Sequence, residues 1–183
     1  MTTMRIVTGR NSSGSSVIIS NGPLAGAESF THSPGFSAAL IWQTESQARI
    51  VDWPVDPTPQ VVSVVPGPGG TSALLVTFAP DNLIGIADFD PVAAGLELCA
   101  RLPGLGERFE ADHPGFHCTD TIDYGVVLEG EVDLELDNGC TNRLRQGDIV
   151  VQMGTRHAWR NPGNTPARLL FVLVGATRSP NPV

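Results

Sequence analysis

Four histidines occur in the 183-residue chain, and three of them, His113, His117 and His157, lie in its C-terminal half. Side chains along a β-strand alternate between faces, so His117, Thr119, Thr121 and Asp123 share one face if this stretch is extended. A histidine and a carboxylate on one face of a curved strand can converge on a point inside a barrel. His157 opens a later strand after a turn at Gly154, and Trp159 shares its face. Two imidazoles and one carboxylate suit iron(II), manganese, nickel or zinc and leave coordination positions open for a substrate. His117, Asp123 and His157 are therefore the candidate ligands of one divalent transition metal. A metal-free pair in which His117 and Asp123 only hydrogen-bond is the rival reading.

A small closed sheet would have to position such a set, and the surrounding sequence has that pattern. In TDTIDYGVVLEGEVDLELD, Val132, Leu134 and Leu136 alternate against acidic residues, as in a half-buried strand. Asp137-Asn138-Gly139 is a hairpin signal. TNRLR, a turn at Gln146-Gly147-Asp148, then DIVVQ, HAWRN, a turn at Pro162-Gly163-Asn164 and ARLLFVLVGAT complete the run. So many short strands in one stretch form a meander that closes into a barrel or jelly roll. Upstream, MRIVTG, SSVIIS, FSAALIWQT and TSALLVTFAP read as strands, and residues 52–70 as an irregular, proline- and glycine-rich excursion. Pro91 to about Arg101 is the single credible helix, with proline in its first turn and Pro103-Gly104 beyond its end. The expected division is a β-rich N-terminal extension, residues 1–70, packed on the barrel or on a dimer partner, and a barrel of residues 71–178.

Composition narrows the function. The net charge is −8 with no basic cluster, which argues against nucleic acid and against an anionic membrane surface. No apolar run is long enough to span a membrane. The opening MTTMRIVTGR lacks an apolar stretch followed by a small-residue cleavage site, so a cytoplasmic location is expected. The chain contains no lysine, so all eleven basic residues are arginine and lysine-based catalysis is excluded. Cys99, Cys118 and Cys140 form no C-x-x-C pair. Cys99 and Cys140 read as buried thiols, and Cys118 as facing away from the neighbouring histidine site. Tyr124, the only tyrosine, has the opposite parity to Asp123 and is expected to pack.

The spacing of these residues resembles the two motifs of the cupin superfamily, in particular small single-barrel members of the cupin-2-like type. The first motif is His-x-His, three or four residues, Glu, six residues, Gly. Here it reads His117-Cys118-Thr119, three residues, Asp123, six residues, Gly130. The second motif is Gly, five residues, Pro-x-Gly, two residues, His, three residues, Asn. Here it reads Gly147, then Gln152-Met153-Gly154, two residues, His157, three residues, Asn161, with the first gap one residue short. Thr119 replaces a histidine ligand, Asp123 is one methylene shorter than glutamate, and Gln152 replaces proline. A four-ligand site is thereby cut to at most three, with Asp120, His113, Gln152 or water available to compensate.

The resemblance implies an all-β fold, a cupin double-stranded β-helix (jelly-roll) barrel, with the N-terminal extension and one short helix attached. It also implies an enzyme of dioxygenase, decarboxylase, lyase, isomerase or cyclase type, whose metal chelates oxygens of a small organic substrate. The alternative is a non-catalytic, small-molecule-binding or sensor cupin with a metal-free site. Trp159, Thr119, Gln152 and Arg156 are the expected substrate contacts. Asp120 and His113 are the candidate general bases beside the metal. A homodimer is expected, because the first sixty residues offer strands that one small barrel does not need and FSAALIWQT would otherwise be an exposed edge.

Overall fold

The computed structural model describes residues 2–83 and 89–179, and ten strands form among them. They are β1 (Met4–Arg10), β2 (Ser16–Pro23), β3 (Ser37–Thr44), β4 (Thr71–Phe78), β5 (Thr121–Glu129) and β6 (Glu131–Glu135). After these come β7 (Thr141–Arg145), β8 (Ile149–Met153), β9 (Ala158–Arg160) and β10 (Ala167–Gly175). One α-helix, α1 (Pro91–Arg101), lies between β4 and β5. Its residues match the expected span, and the reason is local. Asp90 caps it by accepting from the backbone N–H groups of Val92 and Ala93, and Pro91 occupies a first-turn position where no donor is needed. No helix among the described residues is long and apolar enough to cross a membrane.

A five-stranded antiparallel sheet, β3-β4-β10-β5-β8, faces a three-stranded sheet, β7-β6-β9. Inward residues of both sheets form one core: Leu74, Val76, Val127, Leu169, Phe171 and Leu173 from the first, Val132, Leu134 and Leu144 from the second. β10 alternates without a break between buried and half-buried positions, as a central strand packed on its inner face should. β1 and β2 form a separate two-stranded ribbon. Arg5 of the ribbon donates to the Ile41 carbonyl at 3.1 Å and pairs with Asp56, tying the ribbon to β3.

The boundary drawn at residue 70 does not coincide with a break in the sheet. β3 pairs with β4 from Ser37↔Thr77 to Thr44↔Thr71 and is thus an edge strand of the barrel. Its alanines and leucine bury against β4 and the core, which is why a strand from the first seventy residues joins the second unit. Two thiol expectations also change. Cys140 is exposed in the turn between β6 and β7, and Cys99 is half-buried on α1.

Turn chemistry holds the sheets in register. Gly130, between β5 and β6, has φ of 76°, and a Cβ there would stand 2.9 Å from the Pro166 carbonyl, so only glycine fits. Asn161 is 1 % exposed and closes the β9–β10 connection. Its Nδ2 donates to the carbonyls of Phe78 (3.0 Å) and Thr165 (2.9 Å), and its Oδ1 accepts from Gly163 N at 3.1 Å. Replacing it by alanine strands buried partners. We expect Asn161→Ala to lower unfolding free energy by about 2–4 kcal/mol, measured by urea denaturation, with the exposed Asn142→Ala as an unaffected control.

Candidate functional site

His117 and His157 are direct cross-strand partners. The backbone N–H of each donates to the carbonyl of the other, both at 3.0 Å. This reciprocal pairing stands the imidazoles side by side, ring centroids 4.3 Å apart. Each ring is then anchored to the carbonyl two residues before it. Nδ1 of His117 donates to Gly115 O at 3.2 Å, and Nδ1 of His157 to Thr155 O at 2.9 Å. A carbonyl oxygen can only accept, so each Nδ1 carries the proton and each Nε2 keeps its lone pair. Phe109 stacks on His117 at 4.3 Å, and Trp159 meets His157 edge-on at 5.9 Å.

Both rings line a cavity of about 90 Å³ between the two sheets. Its walls are aromatic and aliphatic, with Phe36, Phe78, Phe109, Trp159 and Phe171 the largest contributors. Besides the histidines, its polar side chains are Thr119, Asp123 and Gln152. Asp123 on β5 and Gln152 on β8 sit directly opposite one another. They are 7 % and 5 % exposed, yet Asp123 Oδ1 and Gln152 Nε2 have no hydrogen-bond partner among the described residues. Thr119 and Thr121 satisfy each other at 2.7 Å.

Burial sets the protonation states. It pushes His117 down to about 4, helped by the neighbouring His157 and opposed by the Gly115 carbonyl. Burial lowers His157 in the same way. The Asp123 carboxyl moves in the opposite direction, up to about 6, because burial disfavours its ionised form. Near neutral pH the site therefore holds two neutral imidazoles with bare Nε2 atoms and a carboxylate with an orphan oxygen. That donor chemistry fits a divalent transition metal. The imidazole pair is preformed, but the carboxylate is not gathered onto it. Among the described residues no three His, Cys, Asp or Glu side chains form a ready-made metal cluster.

Of the other residues singled out in the sequence, Thr119, Gln152 and Trp159 line the cavity. His113, Asp120 and Arg156 do not, and in each case a polar pairing outside the barrel explains why. His113 is largely exposed and lies 3.1 Å from Glu110. Asp120 has the opposite strand parity to Asp123 and pairs with Arg178 at the surface. Arg156 grips Glu110 through two nitrogens at 2.6 and 2.7 Å, reaches Asp137 at 2.7 Å and covers the Phe116 ring. That grip holds the Glu110 carboxyl below its ordinary range. Tyr124 points outward and is half exposed rather than packed. Cys118 also faces outward, its Sγ 3.2 Å from Gly154 O. Phe109 was not foreseen. It follows a short 3-10 turn in an irregular segment, where no periodicity marks which face an aromatic residue takes.

The cupin motif spacing thus falls on two facing sheets, with the motif histidines paired across them, and a cupin-domain family model matches residues 110–173. Residues 110–173 of this chain carry a cupin domain. Similar curated proteins include the Oryzines biosynthesis cluster protein J of Aspergillus oryzae, 45% identical over 78 residues, 40% of this cupin and 44% of that protein. The Phomopsin biosynthesis cluster protein C' of Diaporthe leptostromiformis is 52% identical over 61 residues, 33% of this chain and 32% of its own length. A cupin-domain-containing oxidoreductase of Hypocrea virens is 43% identical over 61 residues, 32% and 31% of the two lengths. The alignments thus span less than half the length of these relatives.

The shifted groups give this cupin a defined pH response. Between about pH 4 and 6.5 the unfolded chain protonates His117 and the folded chain resists, so this residue favours folding more as pH rises and less as it falls. Asp123 opposes it, because its folded value lies above its unfolded value of 3.8. Its contribution is intact below that value and is lost as pH rises through about 6. In chelator-treated protein, Asp123→Asn should therefore gain on the order of 3 kcal/mol over the parent between acid and mildly alkaline pH. Denaturant titrations of both proteins at the two pH values check this, and a pH-independent difference would contradict it.

Proposed function

We propose that this cupin is an enzyme acting on a small, oxygen-bearing organic molecule bound in the cavity beside one divalent transition metal. The ligands would be His117, His157 and Asp123. The observation that carries this reading is the pair of neutral imidazoles whose bare Nε2 atoms border a largely apolar cavity. A bound ion would supply Lewis acidity toward a carbonyl, enol, phenol or carboxylate oxygen. The protein supplies the rest. Gly115 and Thr155 orient the rings, Phe109 and Trp159 brace them, and the aromatic walls exclude water. Trp159, Thr119 and Gln152 would contact the substrate. In the metal-free protein, Asp123, pushed up to about 6 by burial, would be the lining group that exchanges a proton near neutral pH.

Among dioxygenase, decarboxylase, lyase, isomerase and cyclase chemistry, the name of the Hypocrea virens relative favours oxidoreduction. A specific observation favours a second reading, a metal-free binding or sensor cupin: Thr119 stands where a histidine ligand would, and its hydroxyl is already engaged by Thr121.

The two readings separate by elemental analysis after incubation with iron(II), manganese, nickel or zinc. The first expects about one ion per chain, lost in His117→Ala and His157→Ala and kept in Thr119→Ala, with Thr119→His binding more tightly. Equal loss on changing Thr119 would sink the ligand assignment, and no uptake by the parent would leave the metal-free reading. We also propose a homodimer. Ile149, Val151 and Met153 expose one apolar row on the outer face of β8, beside Tyr124. Light scattering at micromolar concentration should give twice the chain mass, and a monomer mass would remove this claim.

A further inference from the structure

We infer that Gln152 is the specificity-determining hydrogen-bond donor of the cavity, and that it selects an uncharged, flat molecule with a carbonyl oxygen at its polar end. The inference rests on the reading that this cavity holds an organic ligand, and not on the metal.

On β8 the outward residues Ile149, Val151 and Met153 are exposed, and the inward ones, Val150 and Gln152, line the cavity. An amide buried in a cavity that Phe171, Leu173 and Val150 also line would ordinarily find a partner in the protein, because an unmade hydrogen bond in such surroundings is costly. Gln152 Nε2 finds none, although the carboxyl of its cross-strand neighbour Asp123 has an oxygen that also lacks one. The pair does not close on itself, so a donor and an acceptor both remain free toward the cavity. The complement of a primary amide N–H is an acceptor oxygen on the ligand.

Charge narrows the class. No arginine lines the cavity, and the sequence has no lysine. The two arginines flanking His157 are committed elsewhere, Arg156 to Glu110 and Asp137, Arg160 to Glu135. No cationic side chain among the described lining residues would neutralise a carboxylate. Shape narrows it further. Trp159 lies between Phe78 and Phe171, with ring centroids 6.2 and 5.4 Å away, and Phe36 continues the wall 6.0 Å from Phe78. Such a wall favours a planar ring over a branched chain.

The test uses full-length, chelator-treated protein and three probes of similar size: acetophenone, isopropylbenzene, which keeps the shape without the acceptor, and benzoate. Binding is measured by calorimetry and by quenching of tryptophan fluorescence. The parent should bind acetophenone about tenfold more tightly than isopropylbenzene and should bind benzoate weakest. Gln152→Met should erase the preference while leaving isopropylbenzene affinity within about twofold. Gln152→Leu should do the same should the methionine variant misfold, and the parent's own ratio needs no variant. Equal binding of acetophenone and isopropylbenzene to the parent would overturn the role of Gln152 and leave the cavity as a ligand site. Binding of none of the three would overturn both. A tenfold preference in protein that takes up no metal would sustain this inference while removing the metal reading.

Discussion

Two backbone hydrogen bonds, exchanged between His117 and His157 at 3.0 Å each, are the constraint on which the site depends. His117 precedes β5 and His157 precedes β9, so this pairing links a strand of the five-stranded sheet to one of the three-stranded sheet. It fixes the two side chains on the same side, and the carbonyls of Gly115 and Thr155 then fix each ring's tautomer. The symmetry is notable because both rings use the same device, a carbonyl two residues back. A ring held this way presents a lone pair rather than a proton to the cavity, and burial keeps it neutral. The electronic character of the site thus follows from main-chain geometry more than from any side chain beyond the histidines.

The cavity follows from how the two sheets are filled. The inner faces carry Leu169, Val127 and Val132 packed to almost complete burial on one side of the barrel. Toward the histidines they change to aromatic rings that do not fill the space, and to Asp123 and Gln152, which the protein leaves partly unsatisfied. Protein interiors satisfy their buried polar atoms almost without exception, so two adjacent exceptions in one cavity are informative. Both imidazoles and Asp123 have values displaced from their ordinary range by the same burial. Clusters of displaced titratable groups in a pocket are the physical mark of a functional site.

Much of this was legible in the residues alone. The alternation through Val132 and Leu134, the Asp137-Asn138-Gly139 turn and the proline-led helix at Pro91 are local patterns, and they formed where expected. The shared parity of His117, Thr119 and Asp123 put all three on the cavity side, because alternation along one extended segment does not depend on what it pairs with. What was not legible depended on partners far along the chain. Arg156 lies one residue from His157, yet Glu110 and Asp137 draw it to the outside. Arg178 does the same to Asp120, and Glu110 to His113. Phe109 entered the site from an irregular segment, and β3 joined the barrel sheet across a long proline-rich connection. Nearest-neighbour reasoning carries no information about such long-range choices.

His117 and His157 are neutral, with the proton on Nδ1 and a bare Nε2. Long-range proton–nitrogen correlation spectra of ¹⁵N-histidine-labelled, metal-free protein near neutral pH test this directly. With only four histidines, His117→Gln and His157→Gln assign the signals. Both residues should show a protonated Nδ1 and an unprotonated Nε2, and zinc should shift both Nε2 resonances. Protons on Nε2, or an imidazolium at either position, would contradict this assignment.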